Sequence, residues 1–161
     1  MLTILRLLGL AALCVGCVSC SSTGGGLTKA KQINGVKTTA YTHSESDHLK
    51  YGAKSATGDN LKYGRVRSAA TDWSVYPVGT VFKIEGEPYL YEVDDYGSAL
   101  VGTNTIDLYK PSKSEMNEWG AKKVNISVVK WGSFKESVEI MRPRTKYPHI
   151  QQMVKRIERS S

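Results

Sequence analysis

Three aspartates lie in segments typical of strands and turns, and they are the residues of this chain best suited to chemistry. They are Asp72, Asp95 and Asp107, and the last lies between Ile106 and Leu108. Aspartate is depleted from strands because its short polar side chain competes with the backbone for hydrogen bonds. Carboxyl groups gathered on one face of a small β-domain are suited to acid–base chemistry on a sugar, or to a polar contact with one.

Side-chain alternation predicts which way the third aspartate points. If Ile106 and Leu108 face the core of a strand, Asp107 and Tyr109 share the opposite face. Asp95 is at the junction of a predicted strand and a loop, from which a side chain reaches outward. If the two carboxyl groups share a groove, their repulsion and partial desolvation raise the proton affinity of one. A carboxyl that titrates at about pH 4 in water then stays protonated nearer neutrality and acts as an acid.

Each aspartate also has a structural interpretation, in which its carboxylate accepts hydrogen bonds from backbone amides at a tight turn. We favour this interpretation for Asp72, which follows a predicted strand and precedes a turn. Both interpretations remain open for Asp95. For Asp107, which lies in a run that is otherwise typical of a strand, we favour a role in chemistry.

The overall charge leaves three classes of partner to consider. The chain has 161 residues, a net charge of +7 and a pI near 9.3, which would attract nucleic acid, an anionic membrane surface or an anionic wall polymer. Its basic residues are dispersed along the chain, except for a cluster near the C-terminus. We find no zinc-ligand set and no recognised nucleic-acid motif. We therefore predict a solvated basic surface, no nucleic-acid partner, no metal site and no cofactor.

The N-terminal segment is typical of an export signal. Its apolar run, residues 7–18, is too short for a stable membrane span. Cys14, Cys17 and Cys20 all lie in this segment, and no histidine or fourth cysteine is nearby to complete a metal site. Small residues precede Cys17 and Cys20, and a polar Ser/Thr/Gly tether follows. We expect an exported cell-envelope lipoprotein, held at the membrane by a lipid on Cys20 or Cys17, in preference to a cleaved soluble protein.

The whole chain divides into four predicted parts: the signal at 1–20, a flexible tether at 21–35, a β-domain at 36–134 and a strand/helix extension at 135–161. Predicted strands cover 36–42, 65–70, 80–85, 89–94, 105–109 and 123–131, with a further one at 134–141. A capping box at Ser112 and Glu115 begins a helix that ends at Gly120. A weakly amphipathic helix follows at 149–159. Many short strands with little helix argue for a small barrel or sandwich.

Five motifs in order resemble the 3D (three-aspartate) domain family. They are Thr39-Ala40-Tyr41-Thr42, Ser55-Ala56-Thr57-Gly58, Ala70-Thr71-Asp72 through Tyr76-Pro77-Val78-Gly79-Thr80, Asp95-Tyr96-Gly97-Ser98-Ala99 and Ile106-Asp107-Leu108-Tyr109. The resemblance spans about residues 36 to 131 and is similar to the catalytic domain of membrane-bound lytic transglycosylase A, a member of that family. It implies a mainly β fold, a small six-stranded double-psi β-barrel with one or two short helices.

The resemblance also implies an activity. It would be non-hydrolytic cleavage of the MurNAc–GlcNAc β-1,4 bond of peptidoglycan glycan strands to a 1,6-anhydro product. Asp107 would be the single acid/base, with Asp95 and Asp72 as the other two family aspartates of the site. Substrate contacts would come from Tyr109, Tyr41, Thr57, Gly97 and Ser98. A monomer is assumed.

A second function remains open, a non-catalytic module that binds the cell wall through the same groove. The related transglycosylase uses a second domain to form the other side of its cleft, and we find no segment that would supply one here. Much of the cleft is therefore expected to come from the long polar loop at 43–64.

Overall fold

A closed barrel of six strands forms the body of the protein. The computed structural model describes residues 30–45 and 52–160. The strands are β1 (Lys31–Tyr41), β2 (Val66–Ala70), β3 (Val81–Ile84), β4 (Leu90–Asp95), β5 (Ile106–Tyr109) and β6 (Lys122–Lys130). They close in the order β1-β5-β2-β4-β3-β6. The β1–β5 and β2–β4 pairs are parallel, and the other pairs are antiparallel. The predicted mainly β, six-stranded barrel is confirmed.

The first strand is longer than its sequence indicated. It begins at Lys31, which pairs with Val128 of β6, whereas we placed the start of the barrel domain at residue 36. The N-terminal half of β1 closes the barrel against β6, so closure depends on residues that a polar composition had assigned to the tether. The signal at 1–20, with Cys17 and Cys20, and residues 21–29 of the tether lie outside the described residues.

The barrel interior is filled by alternate side chains of its strands. Ile106 and Leu108 of β5 are fully buried, as their alternation with Asp107 predicted. On β6, Ile126 and Val128 face the same core, while Val129 is 51% exposed. The core thus fixes which side chains of β5 point outward.

The predicted capping box forms. Helix α1 spans Lys113–Trp119, and Ser112 Oγ accepts a hydrogen bond from Glu115 N. Ser112 Oγ also donates to the Glu115 carboxylate at 2.7 Å. The helix ends at Gly120, whose φ of +62° is readily adopted only by a residue without a Cβ.

The expectation of a seventh strand at 134–141 is wrong. Phe134–Met141 is a helix, α2, whose N-terminus is capped because Ser133 Oγ accepts from Glu136 N. Buried Val138 and Met141 are three residues apart, a helical spacing that puts both side chains on one face. A short 3-10 helix, Arg142–Arg144, leads to α3, Pro148–Ser160. The described residues therefore contain three α-helices where one or two were expected.

The two C-terminal helices share the core of the barrel. Met141, Ile150, Met153 and Ile157 belong to the same buried cluster as the strand residues. The contact is also polar, because Ser137 Oγ accepts a hydrogen bond from Val78 N at 3.0 Å. No helix of the described residues is long and apolar enough to cross a membrane. The segment predicted as an extension at 135–161 thus packs as part of the domain.

A substitution in α3 tests this shared core. Met153 is fully buried, so Met153→Ala leaves a cavity and is expected to lower the free energy of unfolding by about 2–5 kcal/mol. The exposed neighbour Lys155 supplies the matched control, since Lys155→Ala should change stability by no more than about 0.5 kcal/mol. Urea denaturation followed by tryptophan fluorescence measures both. Equal midpoints for Met153→Ala and wild type would mean that α3 does not stabilise the barrel.

Candidate active site

Two of the three aspartates occupy one row across neighbouring strands. Ala70 of β2 pairs with Asp107 of β5 on one side and with Asp95 of β4 on the other. The two aspartates are therefore two strands apart, about 10 Å between their Cα atoms. A register shift between Ala69 and Ala70 interrupts the regular β2–β4 pairing at this point. The alanine between the two acids leaves open space that a larger side chain would fill.

A cleft of about 270 Å³ opens over this row. Its lining is largely polar and contains three carboxyl groups, those of Glu45, Asp95 and Asp107. The lining residues are Thr39, Ala40, Tyr41, Glu45, Ala70, Asp95, Tyr96 and Asp107. The structure therefore brings together Asp95, Asp107 and Tyr41 of the residues singled out by sequence.

Asp107 is held by the neighbouring strand. Thr39 is its register partner on β1, and Thr39 Oγ1 donates a 2.7 Å hydrogen bond to Asp107 Oδ1. The flanking Ile106 and Leu108 are anchored in the core, so β5 cannot rotate this side chain away. Asp107 is half-buried, which leaves part of its surface facing the cleft.

Asp95 is more deeply enclosed. It is 6% exposed, and Oδ1 accepts hydrogen bonds from the amides of Ala56 (3.0 Å) and Tyr96 (2.9 Å). Oδ2 accepts from Tyr41 Oη at 3.0 Å. Its carbonyl oxygen accepts from Trp73 Nε1 at 2.8 Å. Donors from separate parts of the chain therefore converge on this one residue.

Burial dominates the electrostatics of Asp95. It raises the pKa of the Asp95 carboxyl to about 6, against the lowering effect of the hydrogen bonds from Tyr96, Tyr41 and Ala56, and the charge of Asp94 adds to the increase. Burial, followed by the charge of Asp95, raises the pKa of Tyr41 well above its usual value. Tyr41 therefore stays a neutral hydrogen-bond donor at physiological pH.

Asp72 does not line the cleft. Its carboxylate is 1% exposed and accepts hydrogen bonds from Ser74 N, Ser74 Oγ, Gly102 N and the Arg156 guanidinium. The arrangement joins a turn of the barrel to the loop before β5 and to α3. It is the amide-capping geometry that we favoured for this residue, with an ion pair added.

The four other candidate substrate contacts are not among the residues that line the cleft. Tyr109 is 5% exposed, packs against the Tyr41 ring and lies 2.8 Å from His43 Nδ1 through its hydroxyl. Thr57 Oγ1 donates to Asp59 in the loop that holds Ala56. Gly97 and exposed Ser98 follow Tyr96, at the start of a short 3-10 helix, Ser98–Leu100.

Several site residues were missed by sequence reasoning. Thr39 and Tyr41 are two apart on β1 and therefore share a face, a signal that could have identified Thr39 as the partner of Asp107. Glu45 gave no such signal, because it lies in a loop and is positioned when its carboxylate accepts from Thr42 N at 3.2 Å. Ala70 was quoted only as part of a family motif, because its role at the site is to have a small side chain between the two acids.

The C-terminal region supports the wall of the cleft. Arg144 Nη1 donates to the carbonyl oxygen of Ala56 at 2.9 Å and contacts Tyr96 Oη at 3.1 Å. Ala56 and Tyr96 are the residues whose amides bind the Asp95 carboxylate. One guanidinium from outside the barrel strands thus braces both amide donors. Among the described residues, no group of three His, Cys, Asp or Glu side chains could hold a metal ion.

Comparisons with known proteins agree with the sequence motifs. Residues 67–130 match the family model of the 3D domain, so the expected resemblance is confirmed over that range. "Putative cell wall shaping protein YabE" of Bacillus subtilis (strain 168) is 39% identical over 95 residues, 58% of this chain and 22% of that protein. "Cell wall-binding protein YocH" of the same organism is 35% identical over 95 residues, 58% of this chain and 31% of that protein.

A solved structure also resembles the chain. The crystal structure of MltA from E. coli aligns at 26% sequence identity over 49% of this chain and 28% of that one, with a TM-score of 0.39. The match to the two Bacillus subtilis proteins spans less than a third of either.

The raised pKa of Asp95 predicts a pH-dependent stability. The folded-state pKa of about 6 lies above the unfolded value of 3.8, so the folded state binds this proton more tightly. The contribution of Asp95 to stability is therefore fully present below pH 3.8 and is lost as pH rises through about 6. Relative to Asp95→Asn, wild type should lose on the order of 3 kcal/mol across this window. Urea denaturation of both proteins at a series of pH values measures it, and parallel profiles would contradict the assignment.

Proposed function

We propose that this chain, whose residues 67–130 are a 3D domain, acts on peptidoglycan as a lytic transglycosylase with Asp107 as its single acid/base. The observation that carries the proposal is the pair of acids in one polar cleft. Asp107 is half-buried and held by Thr39, and Asp95 is buried among three hydrogen-bond donors. Such a pair combines a group that reaches substrate with a fixed negative charge beside it.

The reaction needs only one carboxyl group from the protein. Protonated Asp107 donates its proton to the oxygen of the MurNAc–GlcNAc bond, and the bond between MurNAc C1 and that oxygen breaks. The C6 hydroxyl oxygen of the same MurNAc forms a new bond to C1, and its proton returns to Asp107. The products are a 1,6-anhydro-MurNAc end and a GlcNAc end with a free hydroxyl. Because the nucleophile belongs to the substrate, neither a positioned water nor a second nucleophilic carboxylate is required.

Asp95 is assigned an electrostatic role. Its pKa of about 6 leaves it mainly ionised at neutral pH, so it can stabilise the positive charge that develops on the sugar ring as the bond breaks. Its three hydrogen bonds fix that charge in place, so no reorganisation is needed during the reaction. Tyr41 supplies one of these bonds and lines the cleft, and we assign it a substrate contact as well.

The other residues are assigned by position. Tyr109 supports the Tyr41 ring, and Ser98 and Gly97 lie at the rim next to Tyr96, where a glycan would pass. Thr57 braces the loop that presents the Ala56 amide. Asp72 is assigned a structural role, because its carboxylate is occupied by the turn and by Arg156.

The proposed partner and location follow from the relatives and the charge. Two relatives carry names that refer to cell wall shaping and cell wall binding, which supports an extracytoplasmic protein that contacts the wall. A net charge of +7 favours association with an anionic wall. The export signal at 1–20 and a lipid anchor on Cys20 or Cys17 remain part of the proposal. A monomer remains part of the proposal.

A non-catalytic wall-binding module is the second candidate. It is favoured by the name of YocH, a cell wall-binding protein, and by the cleft itself, whose lining among the described residues comes from barrel strands and adjoining loops. A cleft open to water on one side solvates its acids, which weakens acid catalysis without weakening adhesion.

Replacing the proposed acid tests the catalytic candidate. Incubating the full-length chain with purified peptidoglycan should release 1,6-anhydro-muropeptides, detected by mass spectrometry. Asp107→Asn should lower the yield by about 100-fold or more, because the amide cannot donate and recover a proton. Glu139→Gln, at an exposed carboxylate of α2, is the control for the loss of one negative charge and should match wild type. No anhydro products from wild type, or an undiminished yield from Asp107→Asn, would rule out the mechanism.

Sedimentation with insoluble peptidoglycan separates the two candidates. Wild type and Asp107→Asn should both move to the pellet at moderate salt, since Asn keeps the shape of the cleft and most of its contacts. Pelleting without anhydro products from wild type would identify the binding module. Wild type that stays in the supernatant would exclude the binding module.

A further inference from the structure

Three cations gather at the end of the barrel next to the proposed active site. Lys110 directly follows β5, and the antiparallel β2–β5 register, Ala69 with Leu108, places it near Arg67. Lys122 is the first residue of β6. The rings of Tyr63, Tyr89 and Trp119 surround these cations. We call these six residues the basic-aromatic site.

Arg67 is the most constrained of the three cations. Its guanidinium lies 3.3 Å from the ring centroid of Tyr89 and 4.0 Å from that of Tyr63. The residue is only 8% exposed, and its buried Nε has no hydrogen-bond partner among the described residues. The buried hydroxyl of Tyr91, the register partner of Arg67 on β4, also makes no close hydrogen bond among the described residues, although it is near enough to the guanidinium for the two groups to interact. Buried polar groups without partners are rare in folded proteins and call for an explanation.

Lys110 repeats the pattern. It is 5% exposed, and its Nζ lies 4.6 Å from the Trp119 ring centroid. Burial, and then the charge of Arg67, lower the pKa of Lys110. Lys122 Nζ lies 3.6 Å from the centroid of the same Trp119 ring.

No carboxylate of the described residues 30–45 and 52–160 lies within ion-pair distance of Arg67, Lys110 or Lys122. The nearby acid Glu115 is engaged elsewhere, because its two oxygens accept from Tyr63 Oη and Ser112 Oγ. Stacking on rings offsets only part of the cost of burying a cation. The charges of Glu87 and Glu115 act on Lys110 from further away, but packing alone leaves the three cations without a direct ion-pair partner, which an anionic ligand would supply.

The site is continuous with the cleft. Ring centroids of Tyr63 and Tyr109 are 6.3 Å apart, and those of Tyr109 and Tyr41 are 5.7 Å apart. Tyr41 in turn bonds the Asp95 carboxylate. Tyr41 and Tyr109 are themselves buried, so the row gives the direction from the cleft to the cations. A strand that extends from the cleft over this side of the barrel would bring a carboxylate-bearing substituent of a muramic acid to the cations.

We propose that the basic-aromatic site binds a carboxylate carried by the muramic acid units of the glycan strand held in the cleft. The inference rests on the proposed substrate, not on the proposed cleavage. It adds a determinant that distinguishes peptidoglycan from a chitin-like chain, which has no carboxylate. The guanidinium of Arg67 and the ammonium of Lys110 hold the carboxylate, and Lys122 adds charge at the entrance.

Nuclear magnetic resonance of the full-length chain in a mild detergent tests the site. The indole N–H of Trp119, which donates to Thr38 Oγ1, reports on ligands beside its ring. The ligands are sodium acetate, inorganic phosphate, GlcNAc–MurNAc with its lactyl carboxylate, the same disaccharide with a peptide stem, and N,N′-diacetylchitobiose, all at constant ionic strength. Acetate and GlcNAc–MurNAc should shift the signal, and chitobiose should not.

Charge removal supplies the control. Lys110→Met should weaken acetate and GlcNAc–MurNAc binding by about ten- to a hundredfold, and the exposed Lys122→Met should weaken it in the same direction if Lys110→Met fails to fold. Lys130→Met, at the far end of β6 and exposed, should change nothing. In the disaccharide with a peptide stem the lactyl carboxyl is part of an amide bond. Weaker binding of that ligand would therefore assign the carboxylate to the free lactyl group, and equal or tighter binding would assign it to the peptide.

Two outcomes would overturn the inference. One is the absence of any acetate-dependent shift at Trp119, or a shift that survives both lysine substitutions. The other is inorganic phosphate binding more tightly than acetate while GlcNAc–MurNAc leaves the signal unchanged, which would make the ligand a phosphate. Acetate binding does not depend on the cleft, and cleft signals such as Thr39 report glycan binding separately. Failure of the proposed function and failure of this site are therefore distinguishable.

Discussion

One buried carboxylate connects the parts from which the cleft is made. Asp95 accepts hydrogen bonds from Tyr41 at the end of β1, from Ala56 in the loop before β2, and from the Tyr96 amide at the end of β4. An isolated charge at 6% exposure would be costly, so these donors must stay in place for the carboxylate to remain ionised. That requirement fixes the positions of three segments far apart in sequence. The cleft walls follow from it.

The C-terminal helices extend this arrangement beyond the barrel. Arg144 braces Ala56 and Tyr96, while Arg156 pairs with Asp72 at 3.0 Å. The Arg144 guanidinium therefore holds the loop before β2 and the residue after β4, and the Arg156 guanidinium holds the turn after β2. The same region contributes buried apolar side chains to the core. Stability and the geometry of the site thus depend on one set of contacts, and loss of the helices would disturb both.

Local patterns predicted the strands well where each strand buries alternate residues. Ile106-Asp107-Leu108 is an example, since two apolar neighbours in the core force the aspartate outward. The Ser112–Glu115 capping box also predicted its helix, because that signal is contained within four residues. The prediction was wrong at 134–141, where the apolar residues fit both the strand period and the helix period. The N-terminal cap at Ser133 stabilises the helix. The prediction also failed at 31–35, where only pairing with β6 makes a polar segment into a strand.

The sequence by itself determined most of the strands, the outward direction of Asp107 and the resemblance to the 3D domain that implied the barrel, because alternation and motifs are local properties. Only the tertiary structure decided that Asp95 and Asp107 flank Ala70 in one row, since strand order and register join residues far apart in the chain. It also separated Asp72 from the other two acids by burying it against Arg156. Burial likewise is a property of the assembled core, and it is what raises the pKa of Asp95.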